Sequence, residues 1–126
     1  MLSGDWSSDV CSSDLLVDHS ETVTLHWSGI RKFDLETGAD LGAWSDDPQN
    51  SWYSEPWFAE ADQPQAEDHG YVVVFQWNNA LQRQTLDIFD ARDIAQGPVA
   101  QVELPQRLPA GFHACWIEQD RLRAPA

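Results

Sequence analysis

The feature that most constrains the fold is a succession of short β-strand patterns separated by turn residues, with no amphipathic helix of useful length between them. TVTLHW (Thr22–Trp27) is rich in β-branched and aromatic residues, and GYVVVFQW (Gly70–Trp77) is the strongest strand pattern in the chain. Such residues favour extended backbone, whereas a helix needs apolar residues three and four positions apart. Repeated short strands with Gly and Asx turns are typical of a sandwich, a barrel or propeller blades. The sequence therefore predicts an all-β fold.

The remaining strand patterns follow at regular spacing, with turns such as ETG (Glu36–Gly38) between them. A single helical turn is predicted at ARDIAQGP, where Gly97-Pro98 would end it. The other predicted strands are IRKFDL (Ile30–Leu35), ADLGAW (Ala39–Trp44), EPWFA (Glu55–Ala59), TLDIFDA (Thr85–Ala91), VAQVELP (Val99–Pro105) and GFHACWI (Gly111–Ile117).

The N-terminal stretch DWSSDVCSSDL (Asp5–Leu15) has no hydrophobic period and repeats Ser and Asp around one cysteine. It matches, residue for residue, one translated reading frame of a common sequencing adapter. We therefore expect residues 1–15 to be an adapter-derived artefact without ordered structure. Residues 16–126 are then the protein itself, and we expect them to be the C-terminal part of a longer protein.

The charge of the chain excludes two classes of partner. Its 126 residues carry a formal net charge of −14 with seven Lys and Arg in total, so a basic patch for a nucleic-acid backbone is not available. The same charge opposes binding to an anionic membrane surface. Two cysteines are too few for a disulfide framework, which favours a reducing, cytoplasmic compartment. Cys115 has no apparent helix N-terminus or basic neighbour to activate its thiol, so we expect it to be a small buried apolar residue.

Three segments carry a resemblance to a known family. They are GIRKFDLETG (Gly29–Gly38), SEPWFAEADQPQAEDHGYVVVF (Ser54–Phe75) and LDIFDARDIAQGPVAQVELPQRLPAGFHACW (Leu86–Trp116). Their order and spacing resemble the end of a carotenoid cleavage oxygenase, a family that includes apocarotenoid and lignostilbene dioxygenases and the retinal-pigment-epithelium isomerase. Two positions depart from the family pattern: Ala114 stands where a glycine is usual, and His69 where an aspartate is usual.

The resemblance implies a seven-bladed β-propeller, of which residues 16–126 would form about two blades at the C-terminal end. It also implies one Fe(II) on the propeller axis, held by four histidines from different blades. By position in the motifs, His113 matches the last of these ligands. Glu55 matches one of the glutamates that hydrogen-bond to the ligand histidines, fixing the tautomer of the ring and raising its basicity.

The resemblance further implies oxidative cleavage of a conjugated C=C bond by O₂ to give two carbonyl products. The substrate would be an apolar carotenoid, apocarotenoid or stilbene. One imidazole cannot hold Fe(II), so we expect this chain to be inactive without the missing N-terminal blades of the same protein. We expect the longer protein to be cytoplasmic, with peripheral membrane contact as a further option. The alternative is a small, acidic, non-catalytic β-sandwich or blade-like binding module.

Other polar residues are interpreted as structural. The three remaining histidines match no ligand position and are expected on the surface or in loops. Two acidic pairs lack the alternating carboxylates and closing Glu of a calcium loop, and are expected at loop tips. These residues are His19, His26 and His69, with the pairs Asp46-Asp47 and Glu67-Asp68.

Overall fold

The computed structural model describes residues 27–109, 113–119 and 122, together with the backbone of residues 10–11. Over these residues the chain has no α-helix and no helix with the length and hydropathy to cross a bilayer. One short 3₁₀ helix, Ile94–Gln96, lies where the helical turn was predicted. The strands are β1 (Val10–Cys11), β2 (Ile30–Phe33), β3 (Asp40–Trp44), β4 (Ser51–Tyr53), β5 (Trp57–Glu60), β6 (Gly70–Asn78), β7 (Arg83–Asp90) and β8 (Ala100–Glu103). The prediction of an all-β fold is confirmed.

The first sheet has three antiparallel strands in the order β1-β2-β3. Ile30 lies opposite Trp44, and the register shifts between Lys32 and Phe33. The turn between β2 and β3 closes with a 2.7 Å hydrogen bond from the Gly38 N–H to the Asp34 carbonyl, as the ETG pattern predicted. Val10 and Cys11 pair with β2. The adapter origin of residues 5–15 stays a prediction.

The second sheet has β7 paired with β6 on one side and with β8 on the other. The other edge of β6 is shared by two short strands: β4 pairs with one end, Tyr53 opposite Gln76, and β5 with the other, Trp57 opposite Val73. β4 was not predicted, because its three residues fall at the edge of a polar loop. Trp27 forms an isolated bridge with Tyr53 and so connects the segment before β2 to this sheet.

The hydrophobic core lies between the two sheets. Val72 and Val74 of β6 point to the same face as Phe89 of β7, because alternate residues of a strand share a face. Trp44 and Phe58 pack against this core, and Trp44 meets Phe89 edge-on with ring centroids 6.5 Å apart. The core residues are Ile30, Tyr53, Val72, Val74, Phe89, Ala91 and Ile94.

Lys32 joins the two sheets through a buried ammonium group. Its Nζ lies 2.8 Å from the Asp68 carboxylate, in the loop between β5 and β6, and donates to the Ala91 carbonyl at 2.9 Å. Burying a charge is costly unless it is paired and hydrogen-bonded, and both conditions are met here. Asp68, one of the predicted acidic loop-tip residues, therefore has a role in holding the sheets together.

The far end of the same buried face is polar. The Gln76 amide donates to Ser51 Oγ at 2.8 Å, and Thr85 Oγ1 donates to the Gln76 side-chain oxygen at 3.3 Å. Asp87 is fully buried; its Oδ1 accepts from the Gln101 amide at 3.1 Å, whereas its Oδ2 has no hydrogen-bond partner. Burial disfavours the charged form and raises the pKa of the Asp87 carboxyl above its ordinary value.

The last predicted strand is wrong over the residues that the structure describes. Residues 113–117 are not in a strand, and residues 110–112 lie outside the described part. A strand forms only where its backbone pairs with a neighbouring strand, and residues 113–117 do not pair with the free edge of β8. Cys115, predicted to be buried, is exposed and unpaired in this irregular segment.

Candidate metal centre

Glu55 lies in a β-bulge between β4 and β5. Tyr53 pairs with Gln76 and Trp57 with Val73, so three residues, 54–56, lie opposite the two residues 74–75 of β6. An extra residue interrupts the ladder, bends the strand and re-aims its side chains. Pro56, which is buried, has no N–H to donate to the ladder and so suits this position.

The Glu55 carboxylate reaches the segment around His113. His113 Nδ1 lies 3.1 Å from Glu55 Oε2, across 58 residues of sequence. The Ala114 backbone N–H donates to the same oxygen at 3.2 Å. One carboxylate oxygen thus holds both the ring of His113 and the main chain that follows it.

This contact has a direct consequence for the imidazole. A carboxylate oxygen accepts hydrogen bonds, so the contact favours the tautomer with the proton on Nδ1. The lone pair of a neutral ring is then on Nε2, which is the atom left to bind a metal. The His113 side chain is 90% exposed and that of Glu55 32% exposed, so Nε2 is accessible in this chain.

Ala114 fits beside His113 without backbone strain. A glycine at such a position would matter if the backbone needed a positive φ, which alanine adopts only at a cost. Across the described residues, Gln82 is the only non-glycine residue with positive φ. The departure from the family pattern at Ala114 therefore places no conformational strain on the segment that carries His113.

The other candidate groups do not join His113. His69 lies in the loop before β6, where its Nδ1 accepts a hydrogen bond from the Gln65 N–H at 3.2 Å. His19 and His26 lie outside the described residues. Within the part of the chain that the structure describes, no three His, Cys, Asp or Glu side chains come together as a metal site. His113 is therefore at most one ligand of a centre completed by other residues.

The Asp46-Asp47 pair serves a loop rather than a site. Asp47 accepts a hydrogen bond from the Asn50 amide at 2.9 Å and from the Gln49 N–H at 3.1 Å, and these bonds lower the pKa of its carboxyl. Asp46 accepts a longer bond, 3.3 Å, from the Gln76 amide. These contacts close the turn before β4 and connect it to the polar end of the buried face.

The chain is similar in sequence to a known family and to characterised enzymes. The family model described as retinal pigment epithelial membrane protein matches residues 14–118. A carotenoid 9,10(9',10')-cleavage dioxygenase 1 from Arabidopsis thaliana is 30% identical over 107 residues, covering 76% of this chain and 20% of the relative. The isoeugenol monooxygenase of Pseudomonas nitroreducens is 36% identical over 86 residues, covering 61% of this chain and 18% of the relative. The chain thus spans a fifth or less of the length of these relatives.

Solved structures give the same result for the fold. The cobalt-substituted Synechocystis ACO is similar over 80% of this chain and 21% of its own, with 30% identity and a TM-score of 0.69. The lignostilbene dioxygenase of Pseudomonas brassicacearum is similar over 73% of this chain and 19% of its own, with 30% identity and a TM-score of 0.65. These neighbours are propeller enzymes, and the prediction that the two sheets are propeller blades is confirmed.

Proposed function

This chain belongs to the carotenoid cleavage oxygenase family, and from that premise we propose that it is the C-terminal part of a non-haem Fe(II) oxygenase. The reaction would be oxidative cleavage of a conjugated C=C bond, in which O₂ supplies one oxygen atom to each of two carbonyl products. The proposed substrate is an apolar carotenoid, apocarotenoid or stilbene-type molecule. Relatives named for carotenoid and lignostilbene cleavage support this class of substrate.

The observation that carries the proposal is the contact between His113 and Glu55. A carboxylate on Nδ1 orients the ring and increases the donor strength of Nε2, which is the arrangement common to histidine ligands of metal ions. Imidazole nitrogen is a suitable ligand for Fe(II). When bound, the metal would supply the redox chemistry with O₂, and this chain would supply one oriented ligand, His113.

The geometry supports a role for Glu55 in holding that ligand in place. Its Oε2 accepts from the His113 ring and from the Ala114 N–H, so ring rotation and main-chain movement are restrained together. The bulge places Glu55 on a sheet whose neighbouring strand, β6, is largely buried. Because a rigid support holds the ligand side chain in place beforehand, the side chain loses less conformational entropy when it binds the metal.

We also propose that the 126-residue chain has no catalytic activity by itself. Among the described residues, no three His, Cys, Asp or Glu side chains come together that could hold a metal ion. The remaining ligands would come from the missing N-terminal blades. The proposed location is the cytoplasm, where the exposed, unpaired Cys115 would remain reduced. Peripheral membrane contact is a further option for the longer protein.

The test compares two histidine variants in the longer protein. His113→Ala removes the proposed ligand, whereas His69→Ala removes a loop histidine that does not contact Glu55 or His113. We expect metal analysis of the purified proteins to give full iron content for His69→Ala and its loss for His113→Ala. If His113→Ala keeps its iron, the ligand assignment is wrong. If the wild-type protein binds no iron, the binding-module alternative is favoured.

A further inference from the structure

Ser54 holds the bulge that carries Glu55. Its backbone N–H donates to the Phe75 carbonyl at 2.9 Å, which continues the ladder from β4. The Phe75 N–H, however, donates to Ser54 Oγ at 3.0 Å. In a regular antiparallel pair that N–H would donate to the backbone carbonyl of the residue opposite. The Ser54 hydroxyl has taken the place of a backbone acceptor.

The same hydroxyl also acts on Glu55 directly. Ser54 Oγ donates to the Glu55 carbonyl at 3.1 Å, so its proton is directed at the main chain of the next residue. The Phe75 N–H and the Glu55 carbonyl are thus joined through one oxygen atom. Both are main-chain groups that the bulge would otherwise leave without a ladder partner.

This arrangement determines where the Glu55 side chain points. Successive side chains of a regular strand alternate between the two faces of the sheet, and the extra residue in a bulge breaks that alternation. The Trp57 and Phe75 rings pack beside the bulge with their centroids 5.4 Å apart, and this contact fixes the strand that follows the bulge. With Ser54 on one side and Trp57 on the other, Glu55 has little freedom to leave His113.

We propose that Ser54 is a positioning residue for the metal ligand His113, acting through the Glu55 carboxylate. The inference rests on the proposed function, because it assumes that His113 binds the metal. Ser54 touches neither the ligand ring nor the reacting groups. Its contribution is to hold the bulge in the one conformation from which Glu55 reaches both His113 and Ala114.

The experiment measures Co(II) binding by the longer protein, by competition with a chelator and by the visible absorption spectrum of the bound ion. Losing a partner of a ligand histidine costs about 10–100-fold in affinity, and Ser54→Ala should fall near the lower figure, about 10-fold. Its Co(II) spectrum should also change, because the ligand ring is held less well. Ser54→Thr keeps the hydroxyl on a residue suited to extended backbone and should restore both readouts.

Ser51→Ala is the matched control. Ser51 lies in β4 of the same sheet, and its buried hydroxyl accepts from the Gln76 amide at 2.8 Å, but it has no contact with Glu55. This variant should lower the melting temperature while leaving the Co(II) affinity and spectrum unchanged. A purely structural role for Ser54 would make Ser54→Ala behave in the same way. That result would overturn the inference.

His113→Ala, measured alongside, separates the two proposals. If His113→Ala loses Co(II) but Ser54→Ala binds it like the wild type, the role of Ser54 is wrong and the proposed function stands. If His113→Ala binds Co(II) normally, the proposed function itself fails. Should Ser54→Ala not fold, Ser54→Cys replaces it, because a thiol keeps the volume of the side chain but is a weak hydrogen-bonding group. Ser54→Cys should likewise bind Co(II) more weakly and with a changed spectrum, and Co(II) binding like that of the wild type would overturn the inference.

Discussion

Glu55 and His113 are joined by a 3.1 Å hydrogen bond between Oε2 and Nδ1, and the Ala114 N–H shares the same carboxylate oxygen. The two residues come from different parts of the fold, one from a bulge at a sheet edge and the other from an irregular segment after the last strand. This contact orients the ring of His113. It also leaves Nε2 open.

The first prediction concerns the charge on Glu55. Glu55→Gln keeps an oxygen acceptor for His113 and Ala114 but removes the negative charge that strengthens the ring as a donor to metal. We expect Fe(II) or Co(II) affinity of the longer protein to fall about 10-fold, measured by chelator competition. Glu60→Gln, an exposed position at the end of β5, is the control and should have no effect. Equal affinities for the two variants would contradict the prediction.

The second prediction compares two neighbouring cations of β2. Lys32 is buried and bridges the sheets, whereas Arg31 pairs with Asp40 at 2.6 Å with both side chains 47% exposed. Lys32→Met should lower the free energy of unfolding by about 2 kcal/mol, because it leaves the Asp68 carboxylate and the Ala91 carbonyl without their donor. Arg31→Met should cost less than about 1 kcal/mol, as exposed ion pairs usually do. Denaturant unfolding measures both, and similar losses would show that the bridge does not hold the sheets together.

Much of the fold could be predicted because its strands carry their own signal. GYVVVFQW has a run of valines flanked by aromatic residues, and β6 covers it almost residue for residue. Residues 111–117 have a similar apolar character, yet no strand forms at 113–117, since composition makes a strand only where the backbone also pairs with a neighbour. β4 was missed for the opposite reason: its three residues have little pattern, and pairing with β6 is what makes them a strand.

The site shows the same division. His113 and Glu55 were predicted as site residues from motifs of the family, but which histidine Glu55 contacts depends on how the chain returns across the sheet. Ser54 could not have been identified, because its bond to Phe75 spans 21 residues and depends on the register of β4 and β6. The nearest signal in the sequence is the Ser-Glu-Pro order itself, a hydroxyl before a carboxylate before a residue without an N–H.

The third prediction is a pH dependence of stability from Asp87. Burial raises the pKa of this carboxyl, so the folded protein keeps the proton to a higher pH than the unfolded chain, whose aspartates titrate near about 3.9. Between the pKa of the unfolded aspartate and the higher pKa of Asp87 in the folded protein, the folded state binds more protons than the unfolded state. Stability therefore falls as the pH rises through this range. Asp87→Asn has no such charge to bury. The melting temperature of Asp87→Asn should equal that of the wild-type protein at about pH 3.5. It should exceed the wild-type value by an increasing margin as the pH rises toward neutral.

Asp90, on the same strand, is the control with the opposite sign. The Arg92 guanidinium lies 2.6 Å from its carboxylate and lowers the pKa of Asp90 to about 2. The Asp90–Arg92 pair therefore stabilises the fold at a pH above the pKa of an unfolded aspartate. This stabilisation is lost as the pH falls toward 2. Asp90→Asn should destabilise at neutral pH, by less than about 1 kcal/mol because the pair is partly exposed. If both variants shifted stability in the same direction with pH, the assignment for Asp87 would be wrong.

The last prediction compares two glycines that both have positive φ but differ in their surroundings. Gly97 ends the 3₁₀ helix with φ +88°, and a Cβ there would lie 2.8–3.1 Å from three ring atoms of Trp44. Gly38 has φ +71° in the turn before β3, with nothing within 4 Å of such a Cβ. Gly38→Ala should cost about 1 kcal/mol for the left-handed conformation alone. Gly97 also has ψ −178°, a backbone region open essentially to glycine alone, and Gly97→Ala adds a collision with a core aromatic residue, so it should cost about 2–4 kcal/mol. Thermal unfolding that ranked Gly38→Ala as the more damaging change would show that Trp44 does not pack where the structure has it.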